Sequence, residues 1–281
     1  VKLASYIGRD GRSYGLMTHR GLIDLRRRIP AAPDLKTLLK KGAVADAARF
    51  LDQASDVSLE ELIWLPPIPD PEKIICVATN FISQSIEAGR PLERYPRLFS
   101  RFADTLVGFG GRMRKPRESN AFDYEGELAV IIGRPGRRIP KPLALGFVAG
   151  YACFNDGTAR DWQDHSAQFL PGKNFPSTAG FGPWMTTADE IPDVRRLRLT
   201  TRVNGNEVQR ARLSDLIFDV AALISYCSSF CELVPGDIIV TGTTGGAGAH
   251  SKPPRWLKDG DIVDVEITDI GRLRNQVWAE P

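Results

Sequence analysis

The pattern of apolar and polar positions divides the chain into two parts. Residues 2–7 and 14–17 carry short strand patterns, with turns at Asp10-Gly11 and Arg20-Gly21. Helical spacing follows over 35–40 and 44–54. Four prolines within Leu65-Pro66-Pro67-Ile68-Pro69-Asp70-Pro71 make a stiff connector. We therefore expect a small N-terminal α/β unit, residues 1–66, ahead of a larger domain, residues 67–281. From Lys73 onward short β-rich runs dominate, at 73–77, 127–133, 144–154, 197–203, 238–241 and 262–267, punctuated by Asn204-Gly205, Pro235-Gly236-Asp237 and Asp259-Gly260-Asp261. One amphipathic helix places Leu216, Ile217, Val220, Leu223, Ile224, Cys227 and Cys231 on one stripe behind a Ser214-Asp215 start. The class is α+β and mainly β. Strands and helices do not alternate regularly enough for a doubly wound parallel sheet or a (β/α)8 barrel.

Composition narrows the function classes. The 281 residues carry 37 Lys+Arg against 34 Asp+Glu, a net charge too small to argue for a nucleic-acid partner. The basic runs Arg26-Arg27-Arg28 and Arg195-Arg196 lack interleaved aromatics and read as solvated surface. No apolar run approaches the ~20 residues of a membrane span, and the opening Val1-Lys2-Leu3-Ala4-Ser5-Tyr6 has no leader-like basic-then-apolar pattern. Cys76, Cys153, Cys227 and Cys231 follow neither disulfide nor zinc spacing, which points to a reducing, cytoplasmic setting. Three histidines leave little material for a zinc site, and His19 and His250 read as ordinary surface residues.

The most informative stretch is Phe122-Asp123-Tyr124-Glu125-Gly126-Glu127-Leu128-Ala129-Val130-Ile131-Ile132-Gly133. Its second half is apolar at every position, as an interior strand requires, while Asp123, Glu125 and Glu127 alternate onto one face about 6–7 Å apart. Crowded carboxylates beside an apolar core need a cation. Either arginine or solvent supplies the balance, or the acids hold a divalent ion; an all-oxygen set favours Mg2+, with Mn2+ or Ca2+ as alternatives. Gly126 admits a close neighbour. In Asn155-Asp156-Gly157-Thr158-Ala159-Arg160-Asp161-Trp162-Gln163, a strand ends on Asp156, and Arg160 and Gln163 share a helical face. Pro171-Gly172-Lys173 sets a lysine in a turn. The Gly-rich run 241–248 lacks P-loop and GxGxxG spacing, which excludes nucleotide binding, and brings backbone amides and the Thr243 hydroxyl toward a small ligand.

In this order the segments resemble the fumarylacetoacetate hydrolase family, in particular its bacterial acylpyruvase and 2-hydroxyhepta-2,4-diene-1,7-dioate isomerase-like branch. The resemblance runs from about Pro71 to Asn275 and rests on Pro71-Glu72-Lys73-Ile74-Ile75-Cys76-Val77, Asn80-Phe81, the Asp123–Leu128 and Asn155–Gln163 stretches, Gly172-Lys173, Phe181-Gly182-Pro183-Trp184, Pro235-Gly236-Asp237 and Thr241-Gly242-Thr243. It implies a layered mixed β-sheet roll, a homodimer, and small 2-oxo or 2,4-dioxo acids as substrates. It further implies that Glu125, Glu127 and Asp156 bind Mg2+ or Mn2+ and that Lys173 and Arg160 meet the substrate or the developing oxyanion. Gln163, Thr243 and Tyr124 are then substrate-binding residues, with Thr243 on a carboxylate.

One position departs from the family pattern. Hydrolases of the family pair a His with a Glu three residues later to activate water, and this chain reads Gln84 and Glu87. A glutamine amide orients water but takes no proton at neutral pH. His165 is the alternative base, although a surface role is the default reading. Thr244 stands where the family usually has proline, and Ala247 where it often has valine. The leading expectation is a divalent-metal-dependent hydrolase cleaving a C–C bond in an acylpyruvate-type acid through a metal-stabilised enolate, with Glu87 and Gln84 positioning the water. The alternatives are a decarboxylase or isomerase of a 2-oxo diacid, which needs no activated water, or a catalytically impaired binding protein.

Overall fold

The computed structural model describes residues 1–89 and 91–281. Strands β1 (Lys2–Gly8), β2 (Gly11–Thr18) and β3 (Gly21–Asp24) form a meander, followed by short helices α1 (Leu25–Arg28), α2 (Leu35–Lys40) and α3 (Val44–Ala48) and by β4 (Ile63–Trp64). Past the prolines come β5 (Ile74–Ala78), helix α4 (Ile82–Glu87), β6 (Arg97–Arg101), β7 (Leu106–Val107), β8 (Arg112–Lys115), β9 (Phe122–Asp123), β10 (Gly126–Ile132), β11 (Val148–Asp156) and β12 (Thr158–Ala159). Helices α5 (Arg160–Gln163) and α6 (Leu170–Lys173), strands β13 (Ala179–Thr187), β14 (Arg198–Val203) and β15 (Asn206–Arg212), helix α7 (Val220–Phe230), and strands β16 (Ile238–Val240), β17 (Ile262–Ile267) and β18 (Gly271–Ala279) complete the chain. The mainly β, α+β class holds.

Eleven strands form one mixed sheet, ordered β3-β2-β1-β13-β11-β10-β16-β5-β6 with β4 and β7 at its side; five form a second, ordered β15-β14-β17-β18-β8. Because both faces of the large sheet are covered, β10 is apolar from Leu128 to Ile132. Leu128, Val130 and Ile132 pack with Leu199, Val265 and Leu273 of the second sheet and Leu223, Ile224 and Cys227 of α7. Ala129 and Ile131 face the other way, into a cluster with Phe154, Leu3, Leu16 and the α2 leucines. Residues 1–66 join this architecture directly, since β1 pairs antiparallel with β13 and its Leu3 belongs to the same cluster as Ile74 and Cys76 of β5 and Ala129 and Ile131 of β10.

Several boundaries move for tertiary reasons. The long helix starts at Val220, capped by Asp219 accepting from the Ala222 N–H at 2.7 Å, and not at Ser214-Asp215. Leu216 and Ile217 have helical spacing but are drawn out of the helix toward Asn80, whose carbonyl accepts from Ile217 N–H and whose side chain accepts from Phe218 N–H. The strand expected over 144–154 begins only at Val148, after a 3-10 segment at Lys141–Phe147. The helix expected over 44–54 ends at Ala48. Strands β13, β15 and β18, absent from the expected set, carry glycines or charges that dilute the alternation.

Candidate active site

A cavity of about 480 Å3 opens at the C-terminal end of β11 and the N-terminal end of β10, on the face that Ala129 and Phe154 also share. Its walls include Gln84, Phe99, Arg160, Gln163, Thr243 and His250, and its floor carries Glu125, Glu127, Asp156 and Lys173. The antiparallel register sets Gly126 opposite Asn155 and Glu127 opposite Phe154, which carries Asp156 beside the two glutamates. One carboxylate oxygen from each of Glu125, Glu127 and Asp156 lies within 4.8 Å of the others, and all three residues are buried.

The alternation expected across Asp123, Glu125 and Glu127 breaks at Tyr124-Glu125, which belong to no strand. Glu125 N–H donates to the Asn155 side chain at 3.0 Å instead of entering a ladder. Asp123 lies in β9, paired to β12, and its carboxylate accepts from Gly248 N–H at 2.9 Å, Ala249 N–H at 3.0 Å and Arg160 Nε at 2.9 Å. It fastens a turn and an arginine and stands apart from the other three acids. Gly126 meets its close neighbour in Thr201 of the second sheet, whose hydroxyl a Cβ would reach at 2.0 Å.

The charges interlock. Lys173 Nζ donates to Glu125 Oε2 and to Asp156 Oδ2, both at 2.5 Å, and stands 4.9 Å from the Phe99 ring centroid. Gly172 makes this approach possible, because any side chain there would strike the backbone of Gln163 and Ala159. Arg160 Nη2 donates to Glu125 Oε1 at 2.7 Å, and its Nη1 to Gln163 Oε1 at 3.1 Å. Arg101 pairs with Asp156 and donates to the Gly157 carbonyl and, at 3.2 Å, the Thr178 hydroxyl. Four buried carboxylates thus meet three cations, Arg101 and Lys173 buried and Arg160 partly so. Burial pulls the Lys173 ammonium down, but Asp156 and Glu125 outweigh it and hold its pKa above the usual lysine value. Burial would raise Asp156, yet Arg101 and Lys173 bring it to about 2. Glu127 goes the other way: burial, then Asp156 and Glu125, push it well above the ordinary carboxylate range. Among the described residues no Lys or Arg pairs with Glu127, and its hydrogen bond comes from Gly242 N–H at 2.5 Å.

The other expected site residues divide. Thr243 lines the cavity, but its hydroxyl donates to the Gly126 carbonyl at 2.9 Å and accepts from Gln209 Nε2 at 2.9 Å. Tyr124 lies outside the lining; its hydroxyl donates to the Gly246 carbonyl at 3.1 Å and supports the loop 241–248 from beneath. Glu87 is exposed and also lies outside the lining, with its carboxylate accepting from Gly246 N–H at 3.0 Å. Gln84 does line the cavity, and its Oε1 is buried with no partner among the described residues. His165 is exposed and stacks on Trp162. His250 is exposed as expected, yet it sits in the cavity wall.

Sequence reasoning passed over Arg101 and Gln209. Gln209 accepts from Gly126 N–H at 2.9 Å and donates to the Thr243 hydroxyl and the Thr244 carbonyl, both at 2.9 Å, tying the second sheet to the loop. The one available signal was a polar residue at an inward position of a short strand.

Comparison with known proteins identifies the family and the fold. The model of the fumarylacetoacetate (FAA) hydrolase C-terminal family matches residues 73–278. A curated relative from Xenopus laevis, named oxaloacetate tautomerase fahd2, mitochondrial, is 38% identical over 262 residues, covering 91% of this chain and 82% of its own length. Among solved structures, a putative HpcE protein from Mycobacterium smegmatis is 31% identical with TM-score 0.90, both chains covered fully. The maleylpyruvate hydrolase from Sphingobium sp. SYK-6, in complex with manganese(II) ion and pyruvate, is 25% identical with TM-score 0.84, again over both full lengths.

Proposed function

The chain belongs to the fumarylacetoacetate hydrolase family, and from that premise we propose that it is a divalent-metal-dependent tautomerase interconverting the keto and enol forms of a small 2-oxo diacid such as oxaloacetate. The observation that carries this reading is Gln84: a side chain that takes no proton at neutral pH lines the cavity where a hydrolase needs a base, while Glu87 is turned onto Gly246. The name of the Xenopus relative supports the same chemistry.

Glu125, Glu127 and Asp156 fit a hard divalent ion, because they form a buried all-oxygen set in which Glu127 has no cationic partner among the described residues. Mg2+ is our choice, with Mn2+ next because the Sphingobium relative holds it. When bound, the ion supplies Lewis acidity that makes a 2-oxo group easier to enolise.

The protein's own side chains do the rest. In tautomerisation the C3–H bond breaks, its proton passing to water in the open cavity and its electron pair forming the C2–C3 double bond. The C2=O π pair moves onto the oxygen, which takes a proton that solvent returns to the donor. Lys173 keeps its proton at Nζ and is the donor for that oxygen. Arg160, held by Asp123 and Glu125, keeps the cavity wall cationic for an incoming carboxylate, with Gln163 fixed beside it. Thr243 sets the position of the loop and reaches a substrate carboxylate only by giving up its bond to Gly126.

The second reading is C–C hydrolysis of an acylpyruvate, favoured by the maleylpyruvate hydrolase likeness. The two separate in an assay of oxaloacetate, acetylpyruvate, fumarylpyruvate and a 2,4-diketo-3-deoxy sugar acid, each with Mg2+ or with chelator. We expect metal-dependent enol–keto relaxation of oxaloacetate by the wild type. Gln84→His should raise acylpyruvate cleavage about 100-fold while leaving tautomerisation within about twofold. Faster acylpyruvate cleavage than tautomerisation by the wild type would overturn the assignment, as would inertness toward all four acids.

A homodimer in a reducing compartment completes the proposal. All four cysteines are free, and among the described residues no helix is long and apolar enough to cross a membrane.

A further inference from the structure

Far along the second sheet, four arginines surround a hollow of about 410 Å3: Arg195, Arg196, Arg198 and Arg212, with Asp193 and Ser214 at the rim. Arg198 and Arg212 are direct cross-strand partners in the β14–β15 ladder, and both are exposed. Like charges placed opposite one another destabilise a strand pair unless something negative lies between them. The same sheet shows what balanced arginines look like. Arg202 pairs with Glu266 at 2.6 Å, Arg210 with Glu207 at 2.5 Å, and Arg272 and Arg274 both reach Asp264 at 2.8 Å. At the hollow, Asp193 is consumed by Arg195, which grips it through Nε at 2.9 Å and Nη2 at 3.0 Å. Among the described residues Arg196, Arg198 and Arg212 have no carboxylate within ion-pair distance. The acids nearby in sequence are engaged elsewhere: Asp215 accepts from Arg212 N–H and the Ser214 hydroxyl, and Asp219 caps α7 and pairs with Lys141.

We propose that this hollow binds a small multivalent oxyanion, a compact phosphate-bearing or polycarboxylate molecule, gripped by the guanidinium groups of Arg196, Arg198 and Arg212. Guanidinium planes match both phosphate and carboxylate oxygens in a two-pronged fashion. The concave shape and the lack of a longer basic stripe or interleaved aromatics favour a small ligand over a nucleic acid.

The test is isothermal titration calorimetry of the intact, metal-stripped protein with pyrophosphate in one arm and citrate in the other, at fixed ionic strength. We expect submillimolar binding, weakened at least about tenfold by R198A/R212A and to an intermediate degree by R198K/R212K, which keeps the charge but loses the two-pronged grip. R202A, which removes a paired arginine from the same sheet, should leave binding unchanged. Preference for pyrophosphate assigns a phosphate-bearing ligand, and preference for citrate a polycarboxylate. Equal affinity in R198A/R212A, an equal loss in R202A, or no heat with either anion overturns the proposal. So does a change of oligomeric state in R198A/R212A, seen by sedimentation without any anion effect, which would make the arginines a contact between copies. Circular dichroism melts confirm that each variant is folded.

Discussion

Two of the places where this protein buries carboxylates against cations are built differently. On the second sheet Asp264, with its side chain fully buried, receives Arg272 and Arg274, both about half exposed, so two cations answer one acid. At the cavity floor four acids meet three cations, of which Arg101 and Lys173 are themselves buried, and Glu127 receives none. The first arrangement is complete in itself. In the second, the cations are shared: Lys173 spans Glu125 and Asp156, and Arg160 spans Asp123 and Glu125. Burial alone therefore does not mark a functional charge; the imbalance does.

The contrast can be broken in order of effect. Arg101→Met strips the full-time partner from buried Asp156 and should cost about 3–5 kcal/mol in urea unfolding. A loss of only about 1 kcal/mol would place this pair with ordinary surface bridges. Glu127→Gln should lower divalent-ion affinity by calorimetry about 100-fold or more while raising the stability of the metal-free protein by about 1 kcal/mol, because a buried charge without a partner is removed. Destabilisation by this change would erase the distinction between the two regions. Asp264→Asn should do the reverse, costing about 1–2 kcal/mol with no change in oxaloacetate turnover, the loss being moderated by the solvent around both arginines.

The smallest effect is a pH dependence. Burial raises Asp264, but its hydrogen bonds and attraction to Arg274 and Arg272 outweigh this and hold its pKa below the usual value. Its contribution is therefore present above an unfolded value of about 3.9 and fades as pH falls through the lower folded value. Melts below about pH 4 should show a shallower decline in Asp264→Asn than in the wild type. Parallel declines would remove Asp264 from the acid-sensitive set.

How much of this was legible in the sequence depended on range. The apolar run of β10 and the closeness of Glu125 and Glu127 are short-range facts, and the strand pattern carried them. Asp123 was misplaced because its face was inferred from a strand continuing through Tyr124-Glu125, and Asn155 captures the Glu125 N–H there. Leu216 and Ile217 kept a helical rhythm that Asn80, far earlier in the chain, overrides. Arg101 and Gln209 were unreadable for the same reason. Arg101 acquires its meaning from Asp156, 55 positions away, and Gln209 from Gly126, 83 away. The Gln84 substitution was readable only against the family pattern, and its orphaned oxygen only in three dimensions.

The loop 241–248 has a consequence for how such a protein can diverge. Helix α4 grips one end of it, through Ser83 to the Thr244 hydroxyl at 2.8 Å and Glu87 to Gly246 N–H; at the other end Gly242 N–H holds Glu127. Mouth and floor are thus two ends of one lever. Any change that reshapes α4 at the mouth is therefore expected to displace a floor carboxylate as well, so the two ends of the cavity are not free to change independently.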